Sequence, residues 1–213
     1  MDKAKEILVN KLGFSAESID KLTIFHDELL KYNKKYNLIS KSTEKSIWWR
    51  HILDSAQISR YIDFKESKSL ADLGSGAGFP GLILALHNNN PEFHVKLYEK
   101  SVVKSQFLRS IINNIGIKCE LLGKIDRSSS INAEYIVCRA FRKLDEILII
   151  SREIVAKNHK IIVLKGKGAQ EEINKALKGK NIKYKLDQSL TDKESKIILI
   201  DFIKYERNHS IGN

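Results

Sequence analysis

The fold is decided by Leu70-Ala71-Asp72-Leu73-Gly74-Ser75-Gly76-Ala77-Gly78-Phe79-Pro80-Gly81. A short apolar run reaches an acidic residue and then breaks into four glycines within eight positions, 74–81. An apolar pattern from Leu82 to Leu86 follows at once. The stretch reads as a strand, a tight turn and a helix start. Glycine adopts positive φ freely and lets a ligand come close to the backbone. The turn is expected to aim its amides, and the positive end of the helix, at whatever binds there. A nucleotide-like molecule suits such a loop.

Upstream, Ile7, Leu8 and Leu12, then Ile19, Leu22, Phe25, Leu29 and Leu30, recur at helical spacings. Ser15 and Ser18 are candidate caps, and Gly13 separates the two helices. Residues 44–60 read as a further helix carrying Trp48, Trp49, Ile52 and Leu53. Downstream, strands are expected at 70–73, 93–98, 118–122, 135–138 and 160–164. Helices are expected at 81–86, 102–115, 143–155 and 170–177, and a closing strand pair at 182–186 and 196–202. Alternating strands and helices imply a mostly parallel sheet covered on both faces. The expected organisation is an N-terminal helical extension over 1–68, a Rossmann-like α/β core over 69–206 and a frayed tail over 207–213.

The chain has 213 residues and a net charge of +11, and residues 157–185 hold nine lysines against Glu171 and Glu172. Such a balance favours polyanionic partners, nucleic acid above all. No apolar run approaches the roughly 20 residues of a membrane span, and no signal-peptide core is present. Cys119 and Cys138, the only cysteines, each fall in an expected strand. Two buried free thiols in a cytoplasmic protein are expected. Nothing indicates an oligomer, so a monomer is the default.

Gly76-Ala77-Gly78-Phe79-Pro80-Gly81 fits the dinucleotide pattern G-x-G-x-x-G, and Asp72-x-Gly74-x-Gly76-x-Gly78 fits the acidic-glycine loop of S-adenosylmethionine enzymes. Register separates them. The strand ends at Leu73, so the first turn glycine is Gly74, and the third dinucleotide glycine falls on the bulky Phe79. The methyl donor is favoured. Pro80 suits the first helical turn, where no amide donor is needed. Glu99 ends the second strand, where a carboxylate can accept from both hydroxyls of a ribose. Ile125 and Asp126 follow the third strand and are candidates for the adenine edge. Arg139 and Lys165 follow the fourth and fifth strands and are both expected to face the ligand crevice. Prolines occur only at 80 and 91, which removes the Pro-Pro motif of exocyclic amino methyltransferases. Neither cysteine follows a proline, so no cytosine-C5 nucleophile is present. The six histidines are scattered without zinc spacing, and no metal is expected.

Over nearly its full length the chain resembles the bacterial small-subunit rRNA guanine-N7 methyltransferases, the RsmG or GidB family. The resemblance rests on Tyr36-Asn37-Leu38-Ile39, Arg50-His51-Ile52-Leu53-Asp54-Ser55, the glycine loop through Gly81, Cys138-Arg139-Ala140-Phe141 and Leu164-Lys165-Gly166, in that order. It implies a class I, seven-stranded methyltransferase that uses S-adenosylmethionine to methylate N7 of one guanine in 16S rRNA of the small ribosomal subunit. By motif position it assigns cofactor binding to Gly74, Phe79, Ile125, Asp126 and Arg139; Gly76, Gly78 and Glu99 join them from the loop and the strand end. Arg139 is expected to orient cofactor or guanine, and Lys165, Lys167 and Arg142 to bind RNA. His51 and Asp54 are expected to fix the helical extension against the core. Ile39-Ser40 stands where the family usually has Leu-Thr, and the serine-rich 123–131 matches poorly. The rivals are a methyltransferase acting on another RNA or a small molecule, and a non-catalytic nucleotide-binding module associated with the ribosome.

Overall fold

In the computed structural model residues 1–203 are described, so the tail expected over 207–213 lies outside the described residues. Helices α1 (Asp2–Asn10) and α2 (Ala16–Tyr36) open the chain. Ser15 caps α2 by accepting from the Ser18 amide, and Asn37 closes it in the left-handed region at φ 30°. The single helix expected over 44–60 is instead four short turns of different pitch. A 3-10 turn (Lys41–Ser46) leads into a π-helical stretch (Trp48–Leu53), one α turn, α3 (Asp54–Ala56), and a second 3-10 turn (Gln57–Tyr61). Apolar spacing marks such a segment as helical but does not fix its pitch.

The sheet contains β1 (Ser69–Leu73), β2 (His94–Tyr98), β3 (Glu120–Leu122), β4 (Tyr135–Arg139), β5 (His159–Lys165), β6 (Tyr184–Gln188) and β7 (Lys196–Phe202). Its order is β3-β2-β1-β4-β5-β7-β6. The first five strands run parallel; β7 is antiparallel to both β5 and β6. Strand order reverses between β1 and β4, the place where open α/β sheets bind ligands beyond the carboxyl ends of their strands.

The connecting helices are α4 (Gly81–His87), α5 (Val102–Ile115), α6 (Leu144–Ile154) and α7 (Ala169–Leu177). Pro80 is the cap of α4, one residue outside the helix rather than in its first turn. Cys119 stands one residue before β3 and is half-buried, so only Cys138 is a buried strand thiol; neither forms a disulfide.

Two apolar layers flank the sheet, and strand parity assigns residues to each. Tyr135 and Val137 of β4 join Phe25 and Leu29 of α2, Ile52 and Leu53 of the irregular segment, and Phe107 of α5. Ile136 and Cys138 join Ile147 of α6 and Ile173 of α7. Successive strand residues point to opposite faces. Arg139 therefore falls on the face covered by the N-terminal helices, and Lys165, in step with Ile161 and Val163, falls on the α6–α7 face.

Candidate active site

At the carboxyl end of β1 the glycines separate by environment. Gly74 and Gly76 are half-exposed, whereas Gly78 and Phe79 are buried. Gly74, Gly76 and Gly78 have φ of 76°, 59° and 104°. A Cβ on Gly74 would lie 2.4 Å from the Phe141 ring, so that ring closes down on the loop only because the residue is glycine. A Cβ on Gly76 meets nothing nearer than the Gly74 carbonyl oxygen, 3.9 Å away, which leaves this face open to a ligand. Gly78 instead faces Leu82 and Leu108, and Phe79 packs against Phe25 and His51. These two sequence-nominated residues shape the loop from below.

Most of the loop's amides are turned inward, contrary to expectation. Gly74 and Ser75 donate to the Tyr98 carbonyl at 2.9 and 3.0 Å, and Gly78 and Phe79 donate to the Ser75 carbonyl at 2.7 and 2.9 Å. Gly76 donates to Glu99 Oε2 at 2.8 Å, and Gly81 to Asp72 Oδ2 at 2.9 Å. Buried amides must find partners, and here the loop folds back on the strand ends to supply them. A pyrophosphate needs free N–H groups at such a turn; a phosphate-free adenosyl group does not. The loop therefore fits the methyl donor better than a dinucleotide.

Glu99 is nearly buried and braces the loop from β2. Its Oε1 accepts from the Ser101 amide at 2.7 Å while Oε2 holds Gly76. Each carboxylate oxygen keeps a lone pair for a ribose hydroxyl. Asp72 is completely buried, and its Oδ1 has no partner. Burial pushes its carboxyl up to about 7, against the Gly81 amide, the Ser75 hydroxyl and the Arg139 charge. Ile125 is buried beneath the β3 end, while Asp126 is half-exposed and accepts from the amide and hydroxyl of Ser128 at 3.1 and 2.6 Å.

Arg139 and Lys165 are the last residues of β4 and β5, not the first beyond them. Arg139 Nη1 donates to the Arg50 carbonyl at 2.9 Å and to Asp54 Oδ2 at 3.1 Å. Its Nη2 makes a short hydrogen bond to His51 Nδ1. The guanidinium lies 5.1 Å from the Phe79 centroid, and the His51 ring stacks on Phe79 at the same 5.1 Å separation. Burial lowers the guanidinium's pKa from its ordinary value, and Asp54 opposes that shift. Next in the chain, Ala140 takes φ 52°, rare for a residue with a Cβ. This left-handed step separates Arg139, beside the N-terminal segment, from Phe141, over Gly74.

Lys165 does not present a free ammonium to the crevice. Its Nζ donates to the Arg142 carbonyl at 2.7 Å and pairs with Glu172 on α7 at 2.8 Å. Arg142 and Lys167 face solvent here, as does Arg50, which pairs with Asp192 at 2.7 Å. Arg142 pairs with Glu146 at 2.8 Å, and Lys167 is 84% exposed. Asp54 is also held by Thr191 Oγ1 at 2.6 Å and Gln57 Nε2 at 2.9 Å. Gln57, Ser189 and Thr191 were missed in the sequence. They are polar residues brought together across more than 130 positions, and no local pattern marks them.

Thr43, His51, Asp54, Arg139, Lys165 and Thr191 line a cavity of about 290 Å³ at the ends of β4 and β5. A larger cleft, about 990 Å³, opens at the opposite ends of the strands beside Ser69 and His94. Ligands of open α/β sheets gather at carboxyl ends, so the smaller cavity is the one beside the chemistry. Among the described residues no cluster of His, Cys, Asp or Glu could hold a metal ion, and no helix is long and apolar enough to cross a membrane.

The strand order, the acidic-glycine loop and the braced Glu99 define the α/β fold of the S-adenosylmethionine-dependent methyltransferases. Solved structures agree on the fold. One is a SAM-dependent methyltransferase from Aquifex aeolicus, 13% identical, covering 71% of this chain and 90% of its own, with TM-score 0.57. Another, MtNAS in complex with S-adenosylmethionine, is 12% identical, covers 95% of this chain and 84% of its own, and has TM-score 0.61. Residues 18–199 match the GidB family, rRNA small subunit methyltransferase G, and the chain belongs to that family. Relatives bearing the name ribosomal RNA small subunit methyltransferase G include one from Rickettsia bellii, 38% identical over 184 residues, covering 86% of this chain and 93% of the relative. One from Paramagnetospirillum magneticum is 35% identical over 188 residues, covering 88% and 90%.

Proposed function

We propose that this protein uses S-adenosylmethionine to methylate N7 of a guanine in 16S rRNA of the small ribosomal subunit. The observation that carries the reading is the pairing of a glycine loop whose amides are mostly satisfied within the fold with a polar cavity, lined by Arg139 and Asp54, at the ends of the next two strands, β4 and β5. The loop suits a phosphate-free adenosyl group; the cavity suits a base presented from RNA. Membership of the rRNA methyltransferase G family supports the substrate class.

The bound cofactor supplies an electrophilic methyl group on a sulfonium. Guanine N7 carries an in-plane lone pair and no proton, so no general base is required. Held there, the cofactor would offer its methyl carbon to that lone pair, with the neutral thioether as leaving group. The protein's part is orientation and electrostatics. In this reading Gly74 and Gly76 let the adenosyl group approach the loop, and Glu99 accepts from its ribose. Ile125 covers the adenine, and Asp126 accepts from its amine. Gly78 and Phe79 shape the loop without direct contact. Arg139 orients the base, Arg142 and Lys167 hold RNA phosphates, and Lys165 positions the loop after β4. The enzyme works as a monomer in the cytoplasm, where its substrate is.

Transfer of labelled methyl to 30S particles that lack the modification, followed by mass spectrometry of the digested RNA, tests the reading. The expected product is one 7-methylguanosine in 16S rRNA. Label on another atom or on the ribose overturns the acceptor assignment.

A further inference from the structure

Arginine carries five N–H donors, and the N-terminal segment takes three of those on Arg139. Both Nη1 protons are spent, on the Arg50 carbonyl and Asp54 Oδ2. One Nη2 proton goes to His51 Nδ1. The Nε proton and one Nη2 proton remain, on a side chain that lines the cavity at the β4 end.

The holders are themselves held. Arg139 can only donate, so His51 Nδ1 accepts and the imidazole proton sits on Nε2. That proton is given to Thr43 Oγ1 at 2.8 Å, and Thr43 donates onward to the Ser40 carbonyl at 2.8 Å. Each hydrogen bond in the chain has one possible direction. Burial, with the charges of Arg139 and Arg50, lowers His51 to about 3 and keeps it neutral. Asp54 is fixed from its other side by Thr191 and Gln57.

We propose that Asp54 and His51 are positioning residues for methyl transfer: they fix the Arg139 guanidinium, balance its charge, and leave it two donors for the acceptor base. The proposal rests on the function inferred above and adds the residues that prepare Arg139. Methyl transfer moves positive charge from the sulfonium onto the purine. An unbalanced guanidinium beside the ring would oppose that movement. The Asp54 carboxylate, 3.1 Å from Nη1, offsets that charge while leaving the donors in place.

The test compares kcat and KM on unmethylated 30S particles, with cofactor affinity from calorimetry. Asp54→Asn is expected to lower kcat at least tenfold and to leave cofactor affinity within twofold. Arg139→Ala falls at least as far, and the double variant falls no further than Arg139→Ala alone, because the residues act as a unit. His51→Asn, whose side-chain oxygen can accept from Arg139, is expected to keep kcat within threefold, whereas His51→Leu loses tenfold. Tyr61→Phe is the control. It removes a 2.6 Å hydrogen bond from the same segment to Asp187 without touching Arg139, so it lowers the melting temperature and spares kcat. Additive losses, a kcat for Asp54→Asn within twofold of wild type, or equal behaviour of the two His51 variants overturns the proposal. Should Asp54→Asn not fold, the His51 pair decides alone. The ratios are read on whichever base the wild type methylates, so a wrong acceptor atom and a failed clasp give different results. Absence of any transfer by the wild type sinks both.

Discussion

At the residue scale, the site is built from positions where one atom changes the outcome. Gly74 and Gly116 share a left-handed backbone, with φ of 76° and 61°, but differ in what surrounds them. A Cβ on Gly116 meets nothing within 4 Å, whereas one on Gly74 strikes the Phe141 ring at 2.4 Å. Left-handed strain alone costs about 1–2 kcal/mol. Gly116→Ala should therefore lose about 1 kcal/mol in denaturant unfolding and keep cofactor affinity. Gly74→Ala should lose more and weaken cofactor binding at least tenfold by calorimetry; equal affinity in the two variants would remove the loop from the site. Asp72 makes a separate prediction. Its folded pKa, about 7, lies above that of the unfolded chain. Stability from the buried neutral carboxyl is therefore full below about pH 4 and is lost as pH rises through 7. Asp72→Asn keeps an acceptor for the Gly81 amide and removes the titration. The stability difference between variant and wild type should move in the variant's favour from pH 4 to pH 8. A difference constant across that range refutes the assignment.

At the scale of elements, the irregular segment 41–61 matters most, because it joins the helical extension to the carboxyl ends of the strands. Trp49 Nε1 donates to the Thr191 carbonyl at 2.9 Å, Arg50 pairs with Asp192 at 2.7 Å, and Gln57 accepts from the Leu190 amide at 2.7 Å. Gln57 is fully buried, and its amide also donates to Asp54 and Ser189. Gln57→Leu keeps the bulk and leaves the Leu190 amide and the Asp54 carboxylate short of partners. Unsatisfied buried groups cost about 1–3 kcal/mol each, so a loss of about 2–4 kcal/mol is expected in urea unfolding, with faster amide exchange over 48–61. The exposed Gln188→Ala should lose less. The sequence marks this segment as helical through its apolar spacing, and its Arg-His-x-x-Asp-Ser run was expected to tie the extension to the core. Its pitch was not legible. The π-helical turns are fixed by polar partners on the β6–β7 loop, far along the chain, whose register no local pattern encodes. The strands were legible to within a residue or two because alternation and burial are local. Strand parity was legible too: Arg139 in step with Tyr135 and Val137, and Lys165 in step with Ile161 and Val163, point to opposite faces. Both were expected in one crevice, and both do line the cavity at the ends of β4 and β5, but parity anchors them differently, Arg139 on the N-terminal segment and Lys165 on Glu172 of α7.

At the scale of the whole molecule, the charge of +11 favours polyanionic partners, and the fold decides which cations are free to meet them. Lys165 belongs to the internal scaffold through Glu172 and the Arg142 carbonyl. Arg142 and Lys167 stand at the rim on the carboxyl side of the sheet. Lys183, also exposed, precedes β6 at the amino side. Reversing any one exposed cation changes net charge equally, so position alone separates the variants. Each phosphate contact contributes about 0.7–0.9 to the slope of log affinity against log salt. Lys167→Glu and Arg142→Glu should each weaken binding to 30S particles and flatten that slope by about one contact, with cofactor affinity unchanged. Lys183→Glu should leave the slope near the wild-type value. Lys165→Met should lower the melting temperature, because Glu172 and the Arg142 carbonyl lose their cation, while leaving the slope as it was. A flattened slope for Lys165→Met at unchanged stability would return that lysine to the RNA. Equal flattening by Lys183→Glu would mean that RNA is held by diffuse charge and not by the rim above β4 and β5.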